Sequence, residues 1–175
     1  MEELKRAYSL NELNSFSREE FVRFVGPVFE NSPWIAEETW SSRPFADLAQ
    51  LHRALCETIR GATEEKHLTL VRAHPDLVGR AALAGTLTPE SNREQASAGL
   101  DRLTASEIAT FKELNQAYRE KFGFPFVICA RLNKKEAILN GFHARLQHSQ
   151  AEEINSALAE IEKIAYLRLQ DIVQS

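Results

Sequence analysis

A chain of 175 residues and 19.8 kDa, 43% hydrophobic and 26% charged, fits one domain and can bury about 70% of its unfolded surface. Twenty-one basic and twenty-five acidic side chains leave a net charge of −4 and no basic block, so nucleic acid and anionic membranes have no electrostatic footprint. Seven Gly and six Pro are too few for a disordered chain, and Cys56 and Cys129 lack the clustering of a zinc site or disulfide framework. With no apolar h-region at Met1-Glu2-Glu3-Leu4-Lys5 and no apolar run near ~18 residues, the expectation is a soluble single domain over 1–175 from a reducing compartment.

In chain order, Ser17-Arg18-Glu19-Glu20 is a capping box that opens a helix through Phe21 to Val25, closed by Gly26-Pro27. A short helix is expected over Trp34 to Trp40. Leu48, Leu51, Leu55 and Ile59 recur at helical spacing before Gly61. Thr63 caps a segment from Glu64 to Ala73, which ends because Pro75 pushes His74 out of the α region. The Ala-, Gly- and Thr-rich stretch from Asp76 to Gly99 is the least regular, and Ser91 with Glu94 forms a capping box inside it. Thr104 with Glu107 opens a helix to Phe122, before Gly123. Phe124 to Ala130 is an apolar run suited to an extended buried segment with no partner strand. Asn133 with Glu136 opens a helix to about Gln147, and Ser149 with Glu152 opens the last, to about Val173. The expected fold class is all-α.

Three places break this plain pattern. In the last helix Ile154, Leu158, Ile161, Ala165, Arg168 and Ile172 share one face, which puts Arg168 in an apolar stripe. Arginine does not give up its charge, so it must either snorkel to solvent or meet an anionic or strongly polar partner, a ligand included. His74 follows a helix C-terminus, where the dipole favours the imidazolium; it can serve as a proton donor or merely satisfy the last carbonyls. Ser91 and Glu94 at a helix start suit both a cap and a site that faces an anion. His52, His67, His143 and His148 have no metal-ligand spacing, so no metal site is expected.

The same residues carry a family resemblance. His74-Pro75-Asp76-Leu77, Ser91-Asn92-Arg93-Glu94-Gln95 with Ala98-Gly99-Leu100, Phe122-Gly123-Phe124-Pro125-Phe126-Val127-Ile128 and Ile164-Ala165-Tyr166-Leu167-Arg168-Leu169 resemble, in order and spacing, OHCU decarboxylase. Those enzymes act on 2-oxo-4-hydroxy-4-carboxy-5-ureidoimidazoline (OHCU), the last intermediate in the oxidation of urate to allantoin. The resemblance covers the chain from Phe16-Ser17 to Val173. It implies an all-α homodimer without cofactor, with His74 and Glu94 catalytic. It also implies that Arg168 holds the substrate, that Pro75, Ser91 and Gln95 line the pocket, and that Phe124, Phe126, Val127 and Ile128 pack on the ring and offer backbone hydrogen bonds. The last residues, Val173-Gln174-Ser175, differ from a Ser-Lys-Leu address, and a cytoplasmic location is expected.

The chemistry accords with these groups. Decarboxylation leaves an electron pair that needs a sink; the sequence has no pyridoxal or thiamine motif, and OHCU supplies its own sink in a ring C=N bond. The protein then has to orient a carboxylate and move protons. Two other readings use the same residues. A J-domain-like co-chaperone shares His74-Pro75-Asp76, but there the tripeptide stands as Tyr-His-Pro-Asp-Lys after a basic helix, whereas here Ala73 and Leu77 flank it and the helix begins Glu64-Glu65. A non-catalytic helical interaction module would leave Glu94 and Arg168 facing solvent. A two-thiol ureide racemase would need paired, activated cysteines.

Overall fold

A computed structural model describes residues 6–174. They are overwhelmingly helical and divide into two compact units, one within Met1–Leu70 plus Glu162–Ser175 and the other Val71–Ile161. Among the described residues, no helix is long and apolar enough to cross a membrane.

The first unit starts with a two-residue strand, β1 (Tyr8–Ser9), and helices α1 (Leu10–Ser15), α2 (Arg18–Val25), α3 (Trp34–Thr39) and α4 (Leu48–Arg60). α2 has the anticipated capping box: the Ser17 N–H donates to Glu20 at 2.8 Å and the Glu20 N–H to Ser17 Oγ at 3.2 Å. α1 was not anticipated, although Ser9-Leu10-Asn11-Glu12 carries the same signal and forms the same reciprocal box. Leu51, Leu55 and Ile59 on α4 are fully buried, as their spacing demands, with Leu13, Phe21, Val25, Ile35 and Leu70. Tyr8 and Ser9 pair in parallel with Val173 and Gln174, which form β2. This pairing is the one departure toward β structure among the described residues, too small to alter the all-α class.

The second unit contains α6 (Arg80–Leu83), α7 (Pro89–Ser97), α8 (Ala105–Phe122) and α9 (Lys135–Arg145), preceded by α5 (Glu64–Arg72), which crosses the boundary at its end. α10 (Gln150–Ile172) contributes residues 150–161 here and 162–172 to the first unit. Two expected caps are corrected. Thr88, not Ser91, caps α7, accepting the Ser91 N–H at 3.2 Å, because Pro89 is pre-set for the first helical position. Asn133 does not cap α9; its side-chain amide donates to the Cys129 carbonyl at 2.9 Å, closing a short 3-10 turn over Ala130–Leu132. The stretch from Asp76 to Gly99 is also more regular than its composition suggests, since α6 and α7 lie within it. Residues 125–129 join no ladder, as expected, and from Phe124 to Ala130 all but Ile128 are buried.

Aromatic rings and one buried ionic cluster make the core of this unit. Phe126 stacks on Phe142 with centroids 3.8 Å apart, and Tyr118 meets Phe122, Phe124 and Phe126. The Tyr118 hydroxyl donates to the fully buried Glu153 at 2.6 Å; burial, then this hydrogen bond, pushes the phenol well above its ordinary range.

Candidate active site

Pro75 does what the sequence predicts: α5 stops at Arg72 and the His74 N–H bonds back to the Val71 carbonyl at 3.2 Å. His74 is buried, and Pro75 is half-buried beside it. The turn that follows is tightly held. Arg119 Nε lies 3.1 and 3.2 Å from the two Asp76 carboxylate oxygens, and Asn115 Nδ2 donates to the Leu77 carbonyl at 2.7 Å. The Val78 N–H donates to Gln95 Oε1 at 3.0 Å, while Gln95 Nε2 donates to the Asp76 carbonyl at 3.4 Å. These bonds hold Val78 at φ 53°, a conformation that a β-branched residue adopts only when its surroundings impose it. At Gly79 a Cβ would fall 2.6 Å from that of Asp76, so the turn needs glycine there.

α7 presents an unusual inner face. Ser91, Gln95 and Ala98 are buried and Glu94 is half-buried, while Asn92, Arg93, Ala96 and Ser97 are exposed. The helix thus turns hydroxyl, amide and carboxylate groups inward instead of apolar ones. Gln95 ties this face to the turn after His74. Two residues before His74, the Arg72 Nε donates to the Gly123 carbonyl at 3.2 Å, which ties the same stretch to the start of the segment holding Phe124, Phe126, Val127 and Ile128. Gly123 takes φ 79°, ending α8 in the left-handed conformation that its glycine permits. His74, Pro75, Ser91, Glu94, Gln95 and the 124–128 segment all belong to the second unit, and Arg168 to the first.

Arg168 does not snorkel. It is 5% exposed, its Nη2 lies 3.0 Å from Glu30 Oε1, and its Nη1 donates to the Val28 carbonyl at 3.2 Å. The anionic partner that the apolar stripe demanded is therefore a buried carboxylate of this chain, and the two bonds fix the direction of the guanidinium. Cys56 offers no nucleophile: burial, with the Glu162 carboxylate adding to it, pushes its thiol up to about 12. Cys129 is buried and forms no disulfide among the described residues.

A family model for OHCU decarboxylase matches residues 14–170, and that span holds every motif described above. The chain belongs to the OHCU decarboxylase family. Among its relatives, 2-oxo-4-hydroxy-4-carboxy-5-ureidoimidazoline decarboxylase of Amia calva is 46% identical over 165 residues, covering 94% of each chain. The protein of the same name from Halalkalicoccus jeotgali is 43% identical over 164 residues, 94% of this chain and 91% of that one. The crystal structure of an (S)-allantoin synthase superposes with a TM-score of 0.76 at 28% identity, over 96% of this chain and 54% of the other.

Three residues escaped the sequence reading although they bond to expected site residues or to the turn after His74: Glu30 to Arg168, Asn115 to Leu77 and Arg145 to Val127. Glu30 lies outside any helix, where no periodicity marks it. Asn115 is one polar residue on a long helix. Arg145 carried a usable signal: Ile138, Phe142 and Arg145 share helical spacing, so it is a charge in an apolar stripe just as Arg168 is.

Proposed function

We propose that this OHCU decarboxylase family member releases CO2 from OHCU to form (S)-allantoin, with His74 and Glu94 as an acid–base pair and Arg168 as the substrate's guanidinium. One observation carries this reading: the family match from residue 14 to 170 takes in His74, Glu94 and Arg168 together, His74 in the bend after α5, Glu94 on α7 and Arg168 on α10. In this mechanism the carboxylated carbon of OHCU carries a hydroxyl and adjoins a ring C=N bond. One of His74 and Glu94 removes the hydroxyl proton as the C–C bond to the carboxylate breaks; the departing pair moves into the C=N bond, and the proton taken from the hydroxyl passes to its nitrogen. The other delivers a proton to one face of the neighbouring carbon, which sets the chirality of allantoin. Positioned groups of this kind contribute roughly 10²–10⁴-fold in rate. Arg168 binds the carboxylate or the ureido and ring oxygens in a fork that lysine does not reproduce. Pro75, Ser91 and Gln95 line the pocket, Phe124, Phe126, Val127 and Ile128 pack on the ring, no cofactor takes part, and the enzyme works as a cytoplasmic homodimer.

The burial of Arg168 supports this reading over an interaction module that would show the side chain to solvent. The deciding experiment generates OHCU in situ from urate with the two preceding enzymes and follows allantoin by circular dichroism. OHCU also decays spontaneously to racemic allantoin, so optically active product is the expected result. Racemic product without acceleration overturns the proposal.

A further inference from the structure

The buried charge at the end of α9 has no part in the acid–base chemistry above. Arg145 donates from Nε to Glu153 Oε1 at 2.7 Å and from Nη1 to the Val127 carbonyl at 2.6 Å, and its guanidinium lies 4.2 Å from the centroid of the Phe126 ring. Glu153, fully buried, is further held by the Tyr118 hydroxyl and by His148 Nδ1 at 2.9 Å. Arg145 Nη2 is buried and makes no hydrogen bond. Apolar residues of similar volume commonly replace such a pair at no loss of stability, so an arginine with an unsatisfied donor calls for a reason beyond stability.

What Arg145 holds supplies that reason. The Val127–Ile128 peptide is trans and planar, so its C=O belongs to Val127 and its N–H, pointing the opposite way, to Ile128. Fixing the carbonyl fixes the N–H. Among the described residues no acceptor is bonded to the N–H of Val127 or Ile128, whereas the next one, of Cys129, donates to Glu160 Oε2 at 3.1 Å. Val127 is buried and Ile128 only partly so, which leaves the Ile128 N–H, unclaimed within the described chain, able to meet an acceptor from outside it.

We propose that Arg145 is a positioning residue, which clamps the Val127 carbonyl and the Phe126 ring and thereby aims the Ile128 N–H at an oxygen of the substrate. The inference rests on the reading of Phe124 to Ile128 as substrate-contacting. Arg145→Lys tests it, since lysine keeps a positive charge beside Glu153 but cannot fork to both acceptors. The expected result is a KM about 10-fold higher with kcat within about 3-fold of wild type. Ile138→Val, a buried truncation on the same helix, should lower the melting temperature and leave KM unchanged. If Arg145→Lys does not fold, Arg145→Met combined with Glu153→Gln removes both charges, and the same rise in KM is expected. A wild-type KM in the folded variant overturns the proposal, as does an equal KM rise in Ile138→Val. A wild-type enzyme that forms no optically active allantoin overturns the functional reading itself; an active wild type with unaltered KM in the variants removes only the role of Arg145.

Discussion

At the scale of single residues, the proposed chemistry and the folding energy reside in different groups, so substitutions separate them. His74→Ala and Glu94→Ala should each lose at least ~10² in turnover and keep a wild-type far-UV spectrum, because His74 lies outside every helix and Glu94 is half-buried on the polar face of α7. Wild-type-like turnover in either would remove that residue from the acid–base pair. Glu30 behaves in the opposite way. Glu30→Ala leaves Arg168 buried beside an empty acceptor position, at a cost of about 3–5 kcal/mol, which a thermal melt should register as a fall of order 10 °C. Glu30→Gln keeps an oxygen for the guanidinium and should recover much of that loss. Equal melting temperatures for the two variants would mean that the ion pair does not hold Arg168.

At the scale of elements, helix starts give a pH dependence of known sign. The cap backbone N–H, reinforced by the cap hydroxyl, holds Glu12, Glu20 and Glu152 below the ordinary carboxylate range, and for Glu107 the Lys135 ammonium leads over the Thr104 cap. Each value is lowered by folding. The stabilisation is therefore complete above the unfolded value of about 4.3 and vanishes as pH falls through the lowered one. Glu20→Gln should lower stability to urea at neutral pH, and the difference from wild type should close in that acid window; a difference independent of pH would contradict the cap assignment. The same boxes explain what was legible beforehand. Ser17, Thr104 and Ser149 cap helices as their spacing indicates, because such pairs are local and solvated. Ser91 and Asn133 fail the same test for reasons a pattern does not contain: a proline two residues before Ser91 takes the first helical position, and a carbonyl of Cys129 claims the Asn133 amide. The motif residues themselves stood out through chemistry out of place. Glu30 and Asn115 did not, since only the folded chain brings them to Arg168 and Leu77.

At the scale of the whole molecule, the two ends of the chain are joined by the pairing of Tyr8–Ser9 with Val173–Gln174. Val173 is 8% exposed, so deleting residues 173–175 should remove about 1.5–3 kcal/mol of burial and lower the melting temperature by roughly 3–12 °C, with hydrogen-exchange protection lost first at Ser9. Unchanged melting would make the pairing ornamental. The Glu30–Arg168 pair has a consequence at the same scale. Beyond a few ångströms, a guanidinium balanced by a carboxylate at 3.0 Å is a dipole, and its field decays faster than that of a lone cation. On a chain of net charge −4, the guanidinium proposed to meet the substrate exerts no pull on an anion approaching from solution. Raising ionic strength from about 0.01 to 0.15 M shortens the screening length from about 30 to 8 Å and should leave kcat/KM level or slightly higher; a steep fall would reveal electrostatic steering that this charge arrangement does not provide.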